Sequence, residues 1–211
     1  MRTRTWTRVP WGAAWLALWC ALCLALPIGG ASARAATQPA ARPADGRQEI
    51  HLYRAGRIAP GWQDYSWAPH ALSVPAPDGL HGQVMSVIFK AFSGIYLHAA
   101  GLYEARDSVV LVTINGGAVG GQHLSLMLVD SRGAFGRPIP LDLYLPYGIL
   151  PRRRWITLRA PMAQSLPDGA LLHGVVLQEA VGQNAPLMYV AAVTLRARPS
   201  TPLRPRRIPR G

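Results

Sequence analysis

This sequence contains few of the residue types on which protein chemistry most often depends. Of its 211 residues only 2 are cysteine, and both, Cys20 and Cys23, lie in an apolar N-terminal segment. The rest of the chain therefore has no thiol for a disulfide, a nucleophile or a metal ligand. Its stability must come from a packed core, and the remaining length suits one domain of ordinary size.

Groups that carry out catalysis are also scarce. The chain has only 10 acidic residues, and no two of them show a spacing that favours the pair of carboxyls a glycosidase needs. Its 6 histidines never occur as HxH, HxxxH or HExxH, so zinc is not expected. No G-x-S-x-G elbow is present. We therefore expect no enzyme activity, no cofactor and no metal site.

The basic charge is concentrated at the two ends of the chain. The formal net charge is +12, yet Lys90 is the only lysine and 6 arginines lie between Arg196 and Arg210. The middle of the chain is close to balanced, which argues against a nucleic-acid interface. Residues 198–211 are predicted to be a disordered Arg/Pro-rich tail. This tail is either a solvated end or a contact to an anionic envelope surface.

The N-terminus has the three parts of an export signal. Arg2, Arg4 and Arg8 precede an apolar run over 11–28, and Ala-Ser-Ala follows at 31–33. This order predicts a cleaved signal peptide over 1–33, with an uncleaved membrane anchor as the alternative. Residues 34–48 are predicted to be a disordered Ala/Pro-rich linker. The expected location is secreted, periplasmic or extracellular.

Between residues 49 and 197 the pattern predicts strands and no helix. Short runs rich in Val, Ile, Leu and Tyr alternate with Gly and Pro, and no long window keeps apolar residues at helical spacing. The expected fold is all-β, a two-sheet antiparallel β-sandwich of the jelly-roll type. The predicted strands are 50–54, 84–92, 95–99, 109–115, 123–130, 139–145, 155–159, 172–179 and 187–196.

Alternation within two of these strands assigns their faces. Val110, Val112 and Ile114 share one face of 109–115, and Leu124, Leu126 and Leu128 share one face of 123–130. These sets are expected to fill the core. If the two strands pair, the opposite sets form one semi-polar outer face that could bind a ligand. That candidate face carries Thr113, Asn115, His123 and Ser125.

A cluster of aromatic residues follows the first strand. The segment 61–67 reads GWQDYSW and contains Trp62, Asp64, Tyr65 and Trp67. Trp62 and Tyr65 are candidates for a platform that stacks against a sugar ring, with Asp64 beside them. The alternative is that the motif is a plug of the core, because tryptophan is usually mostly buried. Trp67 is expected to be the deeper, structural residue, and Trp155 is also expected in the core.

The GWQDYSW segment resembles the G-W-x-D-[WY]-S-W opening of a bacterial extracellular family with a galactose-binding-like, carbohydrate-binding-module-like jelly roll. GIYLH at 94–98, INGG at 114–117 with GGQ at 120–122, WITL at 155–158 and GVVLQ at 174–178 are similar to later elements of that family. The resemblance covers about 50–195. Ala191 and Ala192 stand where the family carries two aspartates, so a structural Ca²⁺ is not expected there.

The resemblance implies a secreted, non-catalytic module that recognises a polysaccharide or cell-wall glycan by aromatic stacking and hydrogen bonds. The alternative is a structural or adhesion module of the cell envelope that binds protein. An exposed aromatic strip with polar neighbours would favour sugar. An apolar patch of several hundred Å² without such neighbours would favour protein.

Overall fold

The structure, a computed structural model, describes residues 48–104, 108–167 and 169–197. It consists of antiparallel strands and short 3-10 turns. The strands are β1 (Gln48–Arg54), β2 (Arg57–Ile58), β3 (Trp62–Asp64), β4 (His70–Pro75), β5 (Gln83–Val87), β6 (Gly94–Glu104), β7 (Val109–Asn115), β8 (Leu124–Asp130), β9 (Ile139–Pro140), β10 (Trp155–Pro161), β11 (Leu171–Glu179) and β12 (Met188–Ala197).

These strands form two antiparallel sheets. The first sheet has the order β10-β7-β12-β1-β2, with β5 pairing β12 and β4 pairing β5. The second sheet has the order β3-β6-β11-β8-β9. The predicted all-β, two-sheet sandwich is therefore confirmed. Central strands come from distant parts of the chain, so both sheets depend on long-range pairing.

The core lies between the inner faces of the sheets. Val110, Val112 and Ile114 of β7 are fully buried there, in one apolar cluster with Leu126 and Leu128 of β8. The faces predicted from alternation are thus correct for both strands. Truncation of a buried Ile or Leu, such as Ile114, Leu126 or Leu128, to Ala typically costs about 2–5 kcal/mol.

Several strand predictions need correction. The strand predicted over 139–145 ends at Pro140, and 3-10 turns follow at Leu141–Tyr144 and Pro146–Gly148. Leu141 and Leu145 are buried four residues apart whereas Leu143 is exposed, which is a turn-like spacing rather than the period of two of a strand. The strand predicted over 84–92 ends at Val87, and β2, β3 and β4 were not predicted.

The segments predicted at the two ends of the chain lie almost entirely outside the residues that the structure describes. The signal peptide (1–33) and the tail (198–211) lie outside the described residues, as does the linker (34–48) except for Gln48, which begins β1. In the part of the chain that the structure describes, no helix is long and apolar enough to cross a membrane.

Candidate ligand-binding face

The single outer face predicted for Thr113, Asn115, His123 and Ser125 does not exist. Strand β7 lies in the first sheet, whereas β8 lies in the second, so the two strands do not pair. Both strands turn their apolar sets toward the same core. Their other sets must therefore point away from each other, on opposite sides of the sandwich.

The four side chains also have local roles. The hydroxyl of Thr113 lies 2.9 Å from that of Thr157 on the neighbouring strand. The Oδ1 atom of Asn115 accepts from the amide of Gly117 at 2.9 Å. His123 Nδ1 lies 2.8 Å from an oxygen of Asp142. Ser125 is buried.

The aromatic segment follows the edge of β6. Strand β3 pairs with β6 through Trp62 and Ala99, and the pairing continues past its end, where the amides of Tyr65 and Trp67 donate to carbonyls of β6 at 2.9 Å each. The segment is therefore extended throughout, and its side chains alternate between the two faces of the sheet.

This alternation reverses the predicted roles of the two tryptophans. Trp62 is only 7% exposed and belongs to the core, so its prediction as a platform residue is wrong. Trp67 is 45% exposed, so its prediction as the deeper core residue is also wrong. The two lie five residues apart, and an odd separation in an extended chain puts side chains on opposite faces. Tyr65, two residues before Trp67, shares its outer face and is 54% exposed.

Asp64 has a structural position at this edge. Its Oδ1 accepts from the amide of Ser66 at 2.9 Å, and its Oδ2 lies 2.7 Å from Nε2 of His70. Burial alone would raise the pKa of Asp64. The hydrogen bonds from Ser66 and His70 together lower it by more than burial raises it, so the pKa falls below its ordinary value. The carboxylate thus ties the end of β3 to His70, the first residue of β4.

The strand register brings a small set of side chains together on the outer face of the second sheet. Trp67 lies beside Gly94, which is opposite Gln178, which is opposite Ser125. Because side chains alternate along a strand, every second residue of each strand adds another row of neighbours on the same side of the sheet. The register places on this side Gln63, Tyr65, Trp67, Gly94, Tyr96, His98, Ser125, Met127, Val129, Gly174, Val176 and Gln178. Of these, Ser125, Met127, Val129 and Val176 are buried, and Tyr96 packs against the last three.

Missing side chains at two glycines let aromatic rings lie flat on this face. A Cβ atom at Gly94 would come within 2.7 Å of the ring of Trp67, and one at Gly174 within 2.4 Å of the ring of Tyr96. Indole Nε1 of Trp67 donates to the carbonyl of Phe92 at 3.0 Å. The Trp67 ring is therefore held by packing and by a hydrogen bond to backbone, and the Tyr96 ring is held by packing.

Phe92 adjoins Trp67 through its backbone carbonyl, which accepts from the indole. Its side chain is 60% exposed and its φ is 56°, an unusual left-handed conformation for a bulky residue. The buried carboxylate of Glu179 accepts from the amide of Phe92 at 3.0 Å. The Phe92 carbonyl accepts from Gln178 Nε2 at 2.7 Å as well as from Trp67. We call Tyr65, Trp67, Phe92 and Tyr96 the aromatic face.

Polar groups border the rings. The hydroxyl of Tyr65 donates to Gln63 at 2.9 Å, and its ring centroid lies 5.9 Å from Tyr96 and 4.9 Å from His98. Burial, with a smaller contribution from Tyr65, raises the pKa of Tyr96. Burial and the nearby ring of His173 lower the pKa of His98. At neutral pH this border therefore favours uncharged donors and acceptors.

Trp155 lies on the other sheet and is only half buried. It pairs with Asn115 at the start of β10 and stacks on His81 with ring centroids 4.4 Å apart. Its prediction as a core residue is wrong, because its place in the register turns it to the outer side of the first sheet. Within the described ranges, no group of three or more His, Cys, Asp or Glu could hold a metal ion.

No protein-family model matches this chain, and no curated protein matches it. Solved structures do resemble it. A family 29 carbohydrate-binding module variant complexed with mannohexaose has a TM-score of 0.49 at 9% identity, over 71% of this chain and 92% of the module. A variant complexed with cellulohexaose has a TM-score of 0.49 at 9% identity, over 71% and 91%. A further family 29 module has a TM-score of 0.48 at 10% identity, over 71% and 88%. With similarity this distant, these ligands are properties of those modules alone.

Proposed function

We propose that this domain is a non-catalytic carbohydrate-binding module that holds a neutral polysaccharide chain across the aromatic face. One observation carries the proposal. Tyr65, Trp67 and Phe92 are about half exposed, although each ring is fixed by packing or hydrogen bonds. Large apolar rings that are ordered but not covered are typical of a preformed binding surface.

The chemistry of the face matches a sugar chain. A pyranose has one face of C–H groups, which packs on an aromatic ring, and a rim of hydroxyls, which needs donors and acceptors. Gln63, His98 and Gln178 supply amide and imidazole groups beside the rings. Binding would cost little ordering of the protein because the rings are already held. Stacking would set the affinity, and the polar rim would orient the chain.

The charge of the face indicates a neutral ligand. None of the side chains that the register brings to it is Asp, Glu, Lys or Arg. The nearest carboxylates have other partners: Asp64 is bonded to Ser66 and His70, and Glu179 is buried under backbone amides. A glycosidase would need two carboxyls beside the scissile bond. The absence of such a pair on this face supports binding without hydrolysis.

We propose, from the sequence alone, that the domain acts after export. The order of positive, apolar and small residues over 1–33 is that of a cleaved signal. N-terminal sequencing of the exported protein is expected to begin near Arg34. Recovery of only full-length, membrane-bound protein would favour an anchor instead.

A second candidate, an adhesion module that binds protein, has one observation in its favour. The connection between β9 and β10 exposes Leu143, Tyr147 and Ile149, and Tyr147 is 99% exposed. This patch lacks the ordered ring packing of the aromatic face. A protein partner would be expected to protect these residues and leave the aromatic face open.

Affinity electrophoresis tests the proposal directly. The domain is run in native gels with and without a soluble glucan, mannan or xylan, beside a reference protein that binds none of them. Retardation by at least one neutral polysaccharide is expected. Full mobility in every gel, with the domain folded by circular dichroism, would contradict the proposal.

A further inference from the structure

A cleft lies on the outer side of the first sheet, away from the aromatic face. Its volume is about 330 Å³, and its lining includes Asp78, Asn115, Gly117, Arg153 and Tyr189. This volume is at the lower end of the range typical of small-molecule sites. The register explains the lining, because Asn115 of β7 pairs with Tyr189 of β12 on one side and with Trp155 of β10 on the other.

Asn115 offers the cleft an unused donor. The residue is only 1% exposed, and its Oδ1 accepts from the amide of Gly117 at 2.9 Å. No acceptor for its Nδ2 is present among the described residues, although this residue lines the cleft. The Nδ2 atom is not among the fully buried polar atoms that lack a partner, so it is reachable from the cleft. It can therefore donate to an acceptor from outside.

Arg153 supplies a positive charge at the same cleft. Its φ is 52°, and its amide donates to the carbonyl of Gly117 at 2.7 Å, so the backbone is held in a left-handed conformation that costs about 1–3 kcal/mol. Within the described ranges its guanidinium forms no ion pair. The exposed Arg152 and Arg154 flank it and add to the local positive charge.

Asp78 brings an acceptor to the cleft. One oxygen accepts from the amides of Leu80 and His81 at 3.1 and 3.3 Å, and the other lies 2.7 Å from Nδ1 of His81. These bonds fix the carboxylate and lower the pKa of Asp78, although burial alone would raise it. The oxygen that contacts only the His81 ring keeps a lone pair that can accept from a hydroxyl group.

We infer that this cleft is a second binding site, for a sugar acid such as a uronic acid residue. Arg153 and the Nδ2 of Asn115 donate to the carboxylate of the ligand. Asp78 accepts from a ring hydroxyl, and the ring of Tyr189 packs against the sugar. A simple anion would not use Asp78, and a neutral sugar would not use Arg153. The combination of a cation, a free amide and a fixed carboxylate therefore selects a ligand with both a carboxylate and hydroxyls.

An NMR titration of the isotope-labelled full chain tests this site with three probes. Glucuronate is expected to shift the backbone amides of Gly117, Arg153 and Tyr189 in a saturable way. Glucose lacks the carboxylate and acetate lacks the ring, so each is expected to bind at least about tenfold more weakly, which corresponds to 1.4 kcal/mol. Equal binding of acetate and glucuronate would overturn the inference, since it would mean an adventitious anion only. Absence of saturable shifts with glucuronate would overturn it as well.

Two variants locate the effect. Arg153→Asn removes the charge and keeps a residue type that tolerates a left-handed conformation; it is expected to weaken glucuronate binding at least about tenfold, as expected for a charged hydrogen bond. Arg159→Gln is the matched control, because Arg159 is an exposed arginine of β10, the strand that follows Arg153, and lies opposite Leu111 and outside the lining of the cleft. Equal losses in the two variants would mean general electrostatic attraction and would contradict the site.

The aromatic face provides an independent reference. Tyr65→Ala is expected to leave glucuronate binding unchanged, and Arg153→Asn is expected to leave retention by neutral polysaccharide unchanged. Loss of binding at one site can therefore be measured separately from binding at the other. Loss of glucuronate binding in Tyr65→Ala, with the fold intact, would place the acid on the aromatic face and overturn the second site.

Discussion

The buried carboxylate of Glu179 accepts the backbone amide of Phe92 at 3.0 Å, 87 residues away in the chain. The same carboxylate accepts from the amides of Val181, Gly182 and Gln183 at 2.8 to 3.1 Å. One side chain thus fixes both the loop after β11 and the left-handed residue at the end of the aromatic face. The ring of Phe92 lies against Gly182 of that loop, where a Cβ atom would come within 2.7 Å.

Replacing this carboxylate is expected to damage both fold and binding. Glu179→Gln leaves one acceptor oxygen for four amides, and an unsatisfied buried donor costs about 1–3 kcal/mol. The free energy of unfolding from urea denaturation should fall by at least that amount. Glu49→Gln, which removes an exposed ion pair with Arg196, is the control and should cost less than about 1 kcal/mol. Equal costs would contradict the role given to Glu179.

The stability of the domain should fall in acid. Burial alone would raise the pKa of Glu179, but the hydrogen bonds from backbone amides lower it below its ordinary value. A group with a lower pKa in the folded state stabilises the fold above its unfolded pKa of about 4.3 and loses that effect as the pH falls through the folded pKa. Urea denaturation at decreasing pH should therefore show the difference between wild type and Glu179→Gln shrinking in acid. A difference independent of pH would contradict this account.

The close contact of Trp67 with Gly94 predicts a non-additive pair of substitutions. Gly94→Ala places a Cβ atom within 2.7 Å of the indole and should displace it, with loss of polysaccharide retention. In a Trp67→Ala background the same methyl meets no ring, so its cost to stability should largely disappear. A double-mutant cycle measures this coupling, expected between about 0.5 and 3 kcal/mol. A coupling near zero would mean that Trp67 does not rest on Gly94.

Replacing Trp62 should destabilise the domain more than replacing Trp67. Trp62→Ala removes a core side chain and is expected to destabilise the domain by about 3–5 kcal/mol. Trp67→Ala removes an exposed ring and one hydrogen bond, with an expected cost of about 1 kcal/mol. Thermal and urea denaturation of both variants measure the difference. A larger loss of stability in Trp67→Ala than in Trp62→Ala would contradict this account and indicate that Trp67 belongs to the core.

The period of two in strands explains why the core was more predictable than the face. Val110, Val112 and Ile114 alternate with a less apolar set, Leu111, Thr113 and Asn115, and their side of the sandwich followed from the sequence. The same rule applies to GWQDYSW. Trp62 and Tyr65 lie three residues apart and cannot share a face of an extended segment, whereas Tyr65 and Trp67 can. A dense group of aromatic residues does not by itself indicate an extended backbone, so the pair expected to form the platform was wrong.

Other parts of the face depend on pairing between distant segments. Nothing local in the sequence places Phe92 beside Trp67, because their contact depends on the register of β6 with the segment after β3. Nor does the pattern of β7 and β8 show that they belong to different sheets. Strand order is a long-range property, so the predicted outer face of Thr113 and His123 required a pairing that the fold does not contain.

The retention of three variants by one polysaccharide tests the central claim most directly. Tyr65→Ala and Trp67→Ala are compared with Tyr147→Ala, a control that removes an equally large exposed ring outside the aromatic face. Affinity electrophoresis is run on the polysaccharide that retards the wild type most, and circular dichroism verifies that each variant is folded. The account predicts that retention is lost in the first two variants and kept in the control. Wild-type retention of folded Tyr65→Ala and Trp67→Ala, or loss in Tyr147→Ala alone, would contradict it.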